Sequence, residues 1–184
     1  MSKAFSRGSA ALAAVFLLAV TAGATPQGAS SPHDKLALWV GHWKVRIDTK
    51  ETQFGHARAD YYDGKCSLLP HRTFLACEYL SLQPDPDSGR ILNDVNLIYY
   101  SSVDKTFKFT SVAPEGGPHE SLMHVDGAVW TRPYKIRKQG GGTIEAREIW
   151  TFVSRDRQLA RLEASTDRGA HWTVVNEAVG TKVR

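Results

Sequence analysis

The stretch Val40-Gly41-His42-Trp43-Lys44-Val45-Arg46-Ile47-Asp48 carries the change of periodicity on which the fold turns. Trp43, Val45 and Ile47 alternate with Lys44, Arg46 and Asp48, the period of two expected of a strand with one buried face. Upstream, Ser31-Pro32 has the form of a helix start, a capping residue followed by proline in the first turn. A brief helix is predicted over about Pro32 to Val40, with Leu36, Leu38, Trp39 and Val40 as its apolar residues.

Downstream, nearly everything reads as strand and turn. Runs rich in β-branched and aromatic residues span about 56–68, 73–82, 91–101, 105–112, 119–125, 128–137, 143–153, 158–166 and 170–180. Between them lie Pro84 to Gly89, Pro114 to Pro118, Asp126-Gly127, Gly140 to Gly142 and Asp167-Arg168-Gly169. With the first strand this makes about ten strands, short connections and no second helical pattern. A parallel βαβ architecture is thereby excluded, and an all-β antiparallel barrel or sandwich remains.

Ser165-Thr166-Asp167-Arg168-Gly169-Ala170-His171-Trp172 has the spacing of an Asp-box hairpin. In such a turn the Asp carboxylate accepts backbone N–H groups, Gly169 takes a positive φ and Trp172 covers the loop, so its role is structural. One copy, with no repeat of about 50 residues, argues against a propeller built from such boxes.

The N-terminus carries Lys3 and Arg7, an apolar run from Ala10 through Val20, and small residues ending Ala22-Gly23-Ala24. This is the three-part pattern of a secretory signal over 1–24, with cleavage after Ala24 and a polar tether over 25–31 before a domain over 32–184. The apolar run is well short of the roughly 20 residues of a membrane span, so no stable membrane anchor is expected after cleavage. The expected location is periplasmic or secreted.

In that oxidising setting Cys66 and Cys77, the only two cysteines, are expected to pair. A symmetric hairpin centred on His71 and Arg72 would set them directly across from each other. The alternatives, a metal pair or a reactive thiol, lack a Cys-x-x-Cys spacing.

The 184-residue chain has a formal charge of +4, but loss of Lys3 and Arg7 leaves 21 of the 23 basic residues against 19 acidic ones. Near balance, with 42% hydrophobic and 23% charged residues, is ordinary globular composition. It disfavours a disordered chain or a dedicated nucleic-acid binder.

A short helix leading into Gly41-His42-Trp43 resembles the lipocalin and wider calycin signature, in which the helix closes one end of an up-and-down barrel and the Trp packs across it. Further matching pieces are Cys66 with a Leu-Pro turn and Phe74, Tyr100 with Asp104 before Phe107 and Phe109, and Asp126-Gly127 before Trp130. Gly141-Gly142 before Arg147, Val153-Ser154, Arg161 to Glu163, and Ser165 to Trp172 with Glu177 complete the set. Together they resemble an exported bacterial family of calycin-like barrels known only as a domain of unknown function. Ser101-Ser102-Val103 and Arg168 depart from its pattern. The resemblance implies an up-and-down barrel and export, with Gly41 permitting close approach, Trp43 plugging the floor and Arg161 covering that Trp. It supplies no catalytic residues.

Seven histidines, His33, His42, His56, His71, His119, His124 and His171, are scattered, and none fall at i, i+4 spacing. His119 and His124 differ by five, which sends them to opposite faces of a straight strand, so no metal or haem site and no cofactor are expected. Asp85 to Gly89 lacks the further ligands of a calcium loop and reads as a polar turn. The glycines at 140–142 precede no helix and read as a hairpin loop rather than a phosphate cradle.

Glu145 with Arg147, and Arg161 with Glu163, are charged pairs on shared strand faces. Facing outward they form an ion-pair ladder; facing inward they form the polar end of a cavity. The expected function is binding of a small apolar or amphipathic molecule inside the barrel, by a monomer or small homo-oligomer. The candidate contacts are Phe107, Phe109, Trp130, Trp150, Arg161 and Glu163. Two alternatives stand beside it. One is an enzyme using Glu163 or His124 for proton transfer; the other is a filled barrel acting through its outer surface. An interior much below about 300 Å³ would favour the filled barrel, and a carboxylate with a raised pKa beside a cavity would favour the enzyme.

Overall fold

The computed structural model of the chain describes residues 31–86, 88–113, 117–137 and 142–183. The proposed signal and most of the tether lie outside them, as do Asp87, Gly140 and Gly141. Ser31 Oγ accepts a hydrogen bond from His33 N (3.3 Å) and opens a 3-10 helix over Pro32–Leu38. Ten strands follow among the described residues: β1 (Gly41–Thr49), β2 (Arg58–Leu68), β3 (Phe74–Ser81), β4 (Asn93–Ser101) and β5 (Thr106–Ala113), then β6 (Gly117–Asp126), β7 (Val129–Arg137), β8 (Thr143–Ser154), β9 (Arg157–Ser165) and β10 (Thr173–Lys182). Each pairs antiparallel with its chain neighbours, and β1 pairs with β10, closing an up-and-down barrel. Pairing the first strand with the last removes the two outer edges that an open sheet would expose.

One end is sealed by aromatic packing. Trp43 is fully buried and its Nε1 donates to Trp39 O at 2.7 Å, tying the helix end to β1. Trp39 meets Trp130, Trp150 and Phe152 edge-on at 5.1 to 5.6 Å between ring centroids. Leu36, Leu75, Ile98, Phe107 and Met123 complete this floor. Burying so many large side chains at one end makes it the main source of hydrophobic stabilisation.

Cys66 and Cys77 lie opposite each other across β2 and β3, with Cα atoms 4.0 Å apart, and form a disulfide. The turn between them is centred where the sequence places it, with His71 at φ 70°. Asp85 Oδ1 accepts from Ser88 N (2.8 Å) and Ser88 Oγ (2.9 Å), an ordinary polar turn.

Two expectations change. Residues 170–172 belong to the Asp-box turn, so the last strand starts at Thr173. The cation over Trp43 is Lys182, with Nζ 4.8 Å from the ring centroid, and not Arg161. Lys182 is the direct partner of Trp43 in the β1–β10 register, whereas Arg161 lies on β9 and turns outward to Glu163. Gly41 makes room for it: at φ +142° it adopts a conformation other residues rarely take, and a Cβ there would meet Lys182 Cε at 2.9 Å.

Candidate functional site

Above the floor, the same inward-facing rows turn polar. On β8 the row runs Phe152, Trp150, Glu148; on β7 it runs Trp130, Arg132, Tyr134, with Trp130 opposite Trp150 and Arg132 opposite Glu148. On β4 it runs Ile98, Asn96, Asp94, and on β5 Phe107, Phe109, Ser111. Their upper members enclose a chamber of about 240 Å³ walled also by Val45, Ile47, Tyr62, Tyr79, Gln158 and Leu162.

Arg132 organises this chamber. Its Nη2 forms an ion pair with Glu148 Oε2 at 2.7 Å, and its guanidinium lies 4.1 Å from the Phe109 ring centroid and 4.5 Å from that of Tyr134. Aromatic faces thus carry the weakly hydrated guanidinium in a place where Lys would fit poorly. Glu148 lines the chamber and keeps 27% of its side chain accessible. Burial pushes its carboxyl above the usual range, with Arg132 opposing that shift. Asp94 is likewise raised by burial, again with Arg132 opposing. Burial, then the negative charge of Glu148, raises the Tyr134 phenol.

The boundary between floor and chamber is built by two large side chains facing two glycines. Tyr79 lies opposite Gly64, where a Cβ would meet its ring at 2.5 Å. Gln158 lies opposite Gly180, where a Cβ would meet Gln158 Cγ at 2.7 Å. Burial pushes the Tyr79 phenol up to about 12, with Gln158 opposing that shift. Gln158 Oε1 is buried with no partner among the described residues.

The barrel wall has a lateral seam. Among the described residues β6 and β7 pair only at His124 with Thr131, Val125 with Trp130 and Asp126 with Val129, next to their turn. Beyond these the strands separate, and a cleft of about 1050 Å³ lies between them, bordered by His119, Ser121, Leu122, Pro133 and Tyr134. Ser111 and Arg132 line both cleft and chamber, so the seam leads to the Arg132 side of the interior. Pro133, which has no N–H to give a neighbour, suits a strand with an open side.

The structure separates the residues singled out from sequence. Phe109 and Trp150 wall the chamber, stacked with their rings 6.0 Å apart. Phe107 and Trp130 belong to the floor, 4.8 Å apart. Arg161 contributes to the chamber wall, but its half-exposed guanidinium turns away to Glu163, 2.9 Å distant. Glu163 is 5% exposed yet lies on the outer surface, held also by Arg147 at 2.5 Å. Arg147 in turn covers the Trp172 ring at 4.1 Å. The outward alternative therefore holds for both charged pairs. His124 borders the cleft.

The Asp box forms as its residues require. Asp167 Oδ1 accepts from His171 N (2.9 Å) and from Ser165 Oγ (2.7 Å), and these bonds hold its carboxyl well below the usual range. Gly169 has φ +89°, and its Cα side faces Trp172 closely enough that a Cβ would sit 3.4 Å from that ring.

Arg132, Glu148 and Asp94 were not placed in the site by sequence reasoning, although a signal existed. Each of the first two lies two residues from a Trp of the same strand, Trp130 or Trp150, and shares its face.

No protein-family model matches the chain, and no curated protein sequence matches it. Among solved structures it is similar to Rv2717c from M. tuberculosis, with a TM-score of 0.55 and 12% identity over 84% of this chain and 99% of that one. It also aligns with a redesigned β-barrel at a TM-score of 0.45 and 11% identity, over 84% of this chain and all of the other. The likeness to Rv2717c is one of fold.

Proposed function

We propose that the chain is an exported, calycin-like barrel that holds a small amphipathic molecule in its interior chamber. The observation that carries this reading is the Arg132–Glu148 pair inside a barrel whose other end is packed with aromatic residues. Burying a charged pair is costly beside an apolar filling of the same volume, so stability alone gives no reason for it. Phe109, Trp150, Val45, Ile47 and Leu162 supply apolar wall, and Tyr62, Asn96, Asp94 and Arg132 supply groups that fix orientation. At about 240 Å³ the chamber lies just below the range of typical ligand sites, which restricts the occupant to a small molecule. The lateral cleft offers a route in. The Cys66–Cys77 disulfide supports an oxidising compartment, in line with a periplasmic or secreted location.

Native mass spectrometry of the protein recovered from periplasm tests this reading, followed by extraction of whatever it retains. The expected result is a stoichiometric small molecule and a mature chain beginning at Thr25. An empty protein that shows no mass shift with a panel of lipids and metabolites would overturn it and favour action through the outer surface.

A second reading has its own support. The raised carboxyls of Glu148 and Asp94 line the chamber, the setting of a general acid or base. Glu148 takes that role here in place of the outward-facing Glu163. Turnover of the extracted molecule, abolished in Glu148→Gln while binding persists, is the expected result if this reading holds; release of the molecule unchanged after prolonged incubation overturns it.

A further inference from the structure

Resting on the interior-binding reading, the charge balance of the chamber specifies the class of its occupant. Its lining residues include two acids, Asp94 and Glu148, and two arginines, Arg132 and Arg161. Arg161 turns its guanidinium outward to Glu163, and Arg132 is committed to Glu148. Among the described residues no side chain donates a hydrogen bond to Asp94; only the charge of Arg132 acts on it at a distance. The chamber thus carries one carboxylate without a partner. Gln158 Oε1, a second acceptor on the same wall, is also unpartnered. Arg132 Nε is a buried donor without a partner too, so the imbalance is one of charge rather than of hydrogen-bonding groups: one carboxylate in excess, with the aromatic residues Tyr62, Phe109 and Trp150 among the walls.

We infer that the chamber selects a small organic ammonium, with the cation at Asp94 and an apolar or aromatic body against Phe109 and Trp150. A monocation restores neutrality in a poorly solvated space and gains charge-assisted hydrogen bonds. Aromatic faces favour a cation over an anion. An anion drawn to the unpartnered Arg132 Nε would add a third negative charge beside Asp94 and Glu148, with one guanidinium to offset all three.

The test uses three probes of matched shape, 2-phenylethylammonium, 3-phenylpropionate and 3-phenylpropanol, titrated into the full mature protein by calorimetry and by tryptophan fluorescence. The ammonium is expected to bind about tenfold or more tighter than the other two, the effect of one charge-assisted hydrogen bond. Asp94→Asn, isosteric and neutral, is expected to erase that preference while keeping the fold, as judged by thermal melting. Equal or tighter binding of the propionate or the propanol to the native sequence overturns the inference, and that comparison needs no variant. A retained native molecule that is anionic or neutral overturns it too, while leaving interior binding intact. An empty chamber that takes none of the probes and nothing from a metabolite panel overturns both.

Discussion

The two halves of the barrel obey one backbone rule and reach opposite ends. In the floor, the inward rows supply Trp43, Ile98, Phe107, Trp130 and Phe152, together with Trp39 from the helix end. Two residues further along the same rows, β7 and β8 supply Arg132 and Glu148 where the floor has rings. The alternation never changes; only the chemistry written on it does. The lesson is a division of labour along the barrel axis. The lower half gains stability by excluding water, and the upper half gives some of it up by sheltering charges.

The strongest way to break the comparison is Trp43→Ala. It removes the plug, the hydrogen bond to Trp39 O and the partner of Lys182. A loss of about 3–5 kcal/mol is expected by urea denaturation, as for large-to-small changes in packed cores. Next comes the disulfide that staples β2 to β3 beside the floor. Replacing Cys66 and Cys77 by Ala, or full reduction, is expected to cost about 2–3 kcal/mol for a loop this short. Either result near zero would mean that the closed end is not the stabilising half.

A change in the upper half should act in the opposite sense and more weakly. Asp94 has a folded-state pKa raised by burial, so it favours folding when protonated and opposes it when ionised. The stability it contributes is complete below the unfolded-state value near pH 4 and is lost as pH rises through the folded value. Asp94→Asn is therefore expected to melt higher than the native sequence at pH 7, with the gain vanishing toward pH 4. Parallel melting curves at both pH values would show that the chamber carboxylate bears no folding cost.

The smallest effect concerns the cation over Trp43. Lys182 is held 4.8 Å from the ring with its ammonium partly desolvated, which lowers its pKa. Lys182→Met keeps the stem that covers Trp43 and drops the charge, and a change under about 1 kcal/mol is expected in thermal unfolding. A much larger loss would assign the floor to electrostatics rather than packing.

Much of the architecture was legible before any coordinates. The period of two beginning at Trp43, the breakers at Asp126-Gly127 and Asp167-Gly169, and the spacing of Cys66 and Cys77 about a central turn all act through near neighbours in the chain. Each therefore appears in the structure close to where it reads in the sequence. The site was less legible. Phe109 and Trp150 reached the chamber, but the acidic and basic residues chosen with them, Glu163 and Arg161, faced outward. The phase of an alternating strand is set by which member is anchored inward, and on β8 that anchor is Trp150.

Local pattern by itself determined that this chain is a set of antiparallel strands opened by a short helix, with one cross-strand disulfide and one Asp-box turn. Only the tertiary structure decided that Lys182 rather than Arg161 covers Trp43, that β6 and β7 part beyond His124, and that Asp94 shares a chamber with Arg132 and Glu148. Those outcomes depend on how β1 registers with β10 and how the barrel closes. Closure brings together residues distant in sequence, and no local spacing encodes which of them will meet.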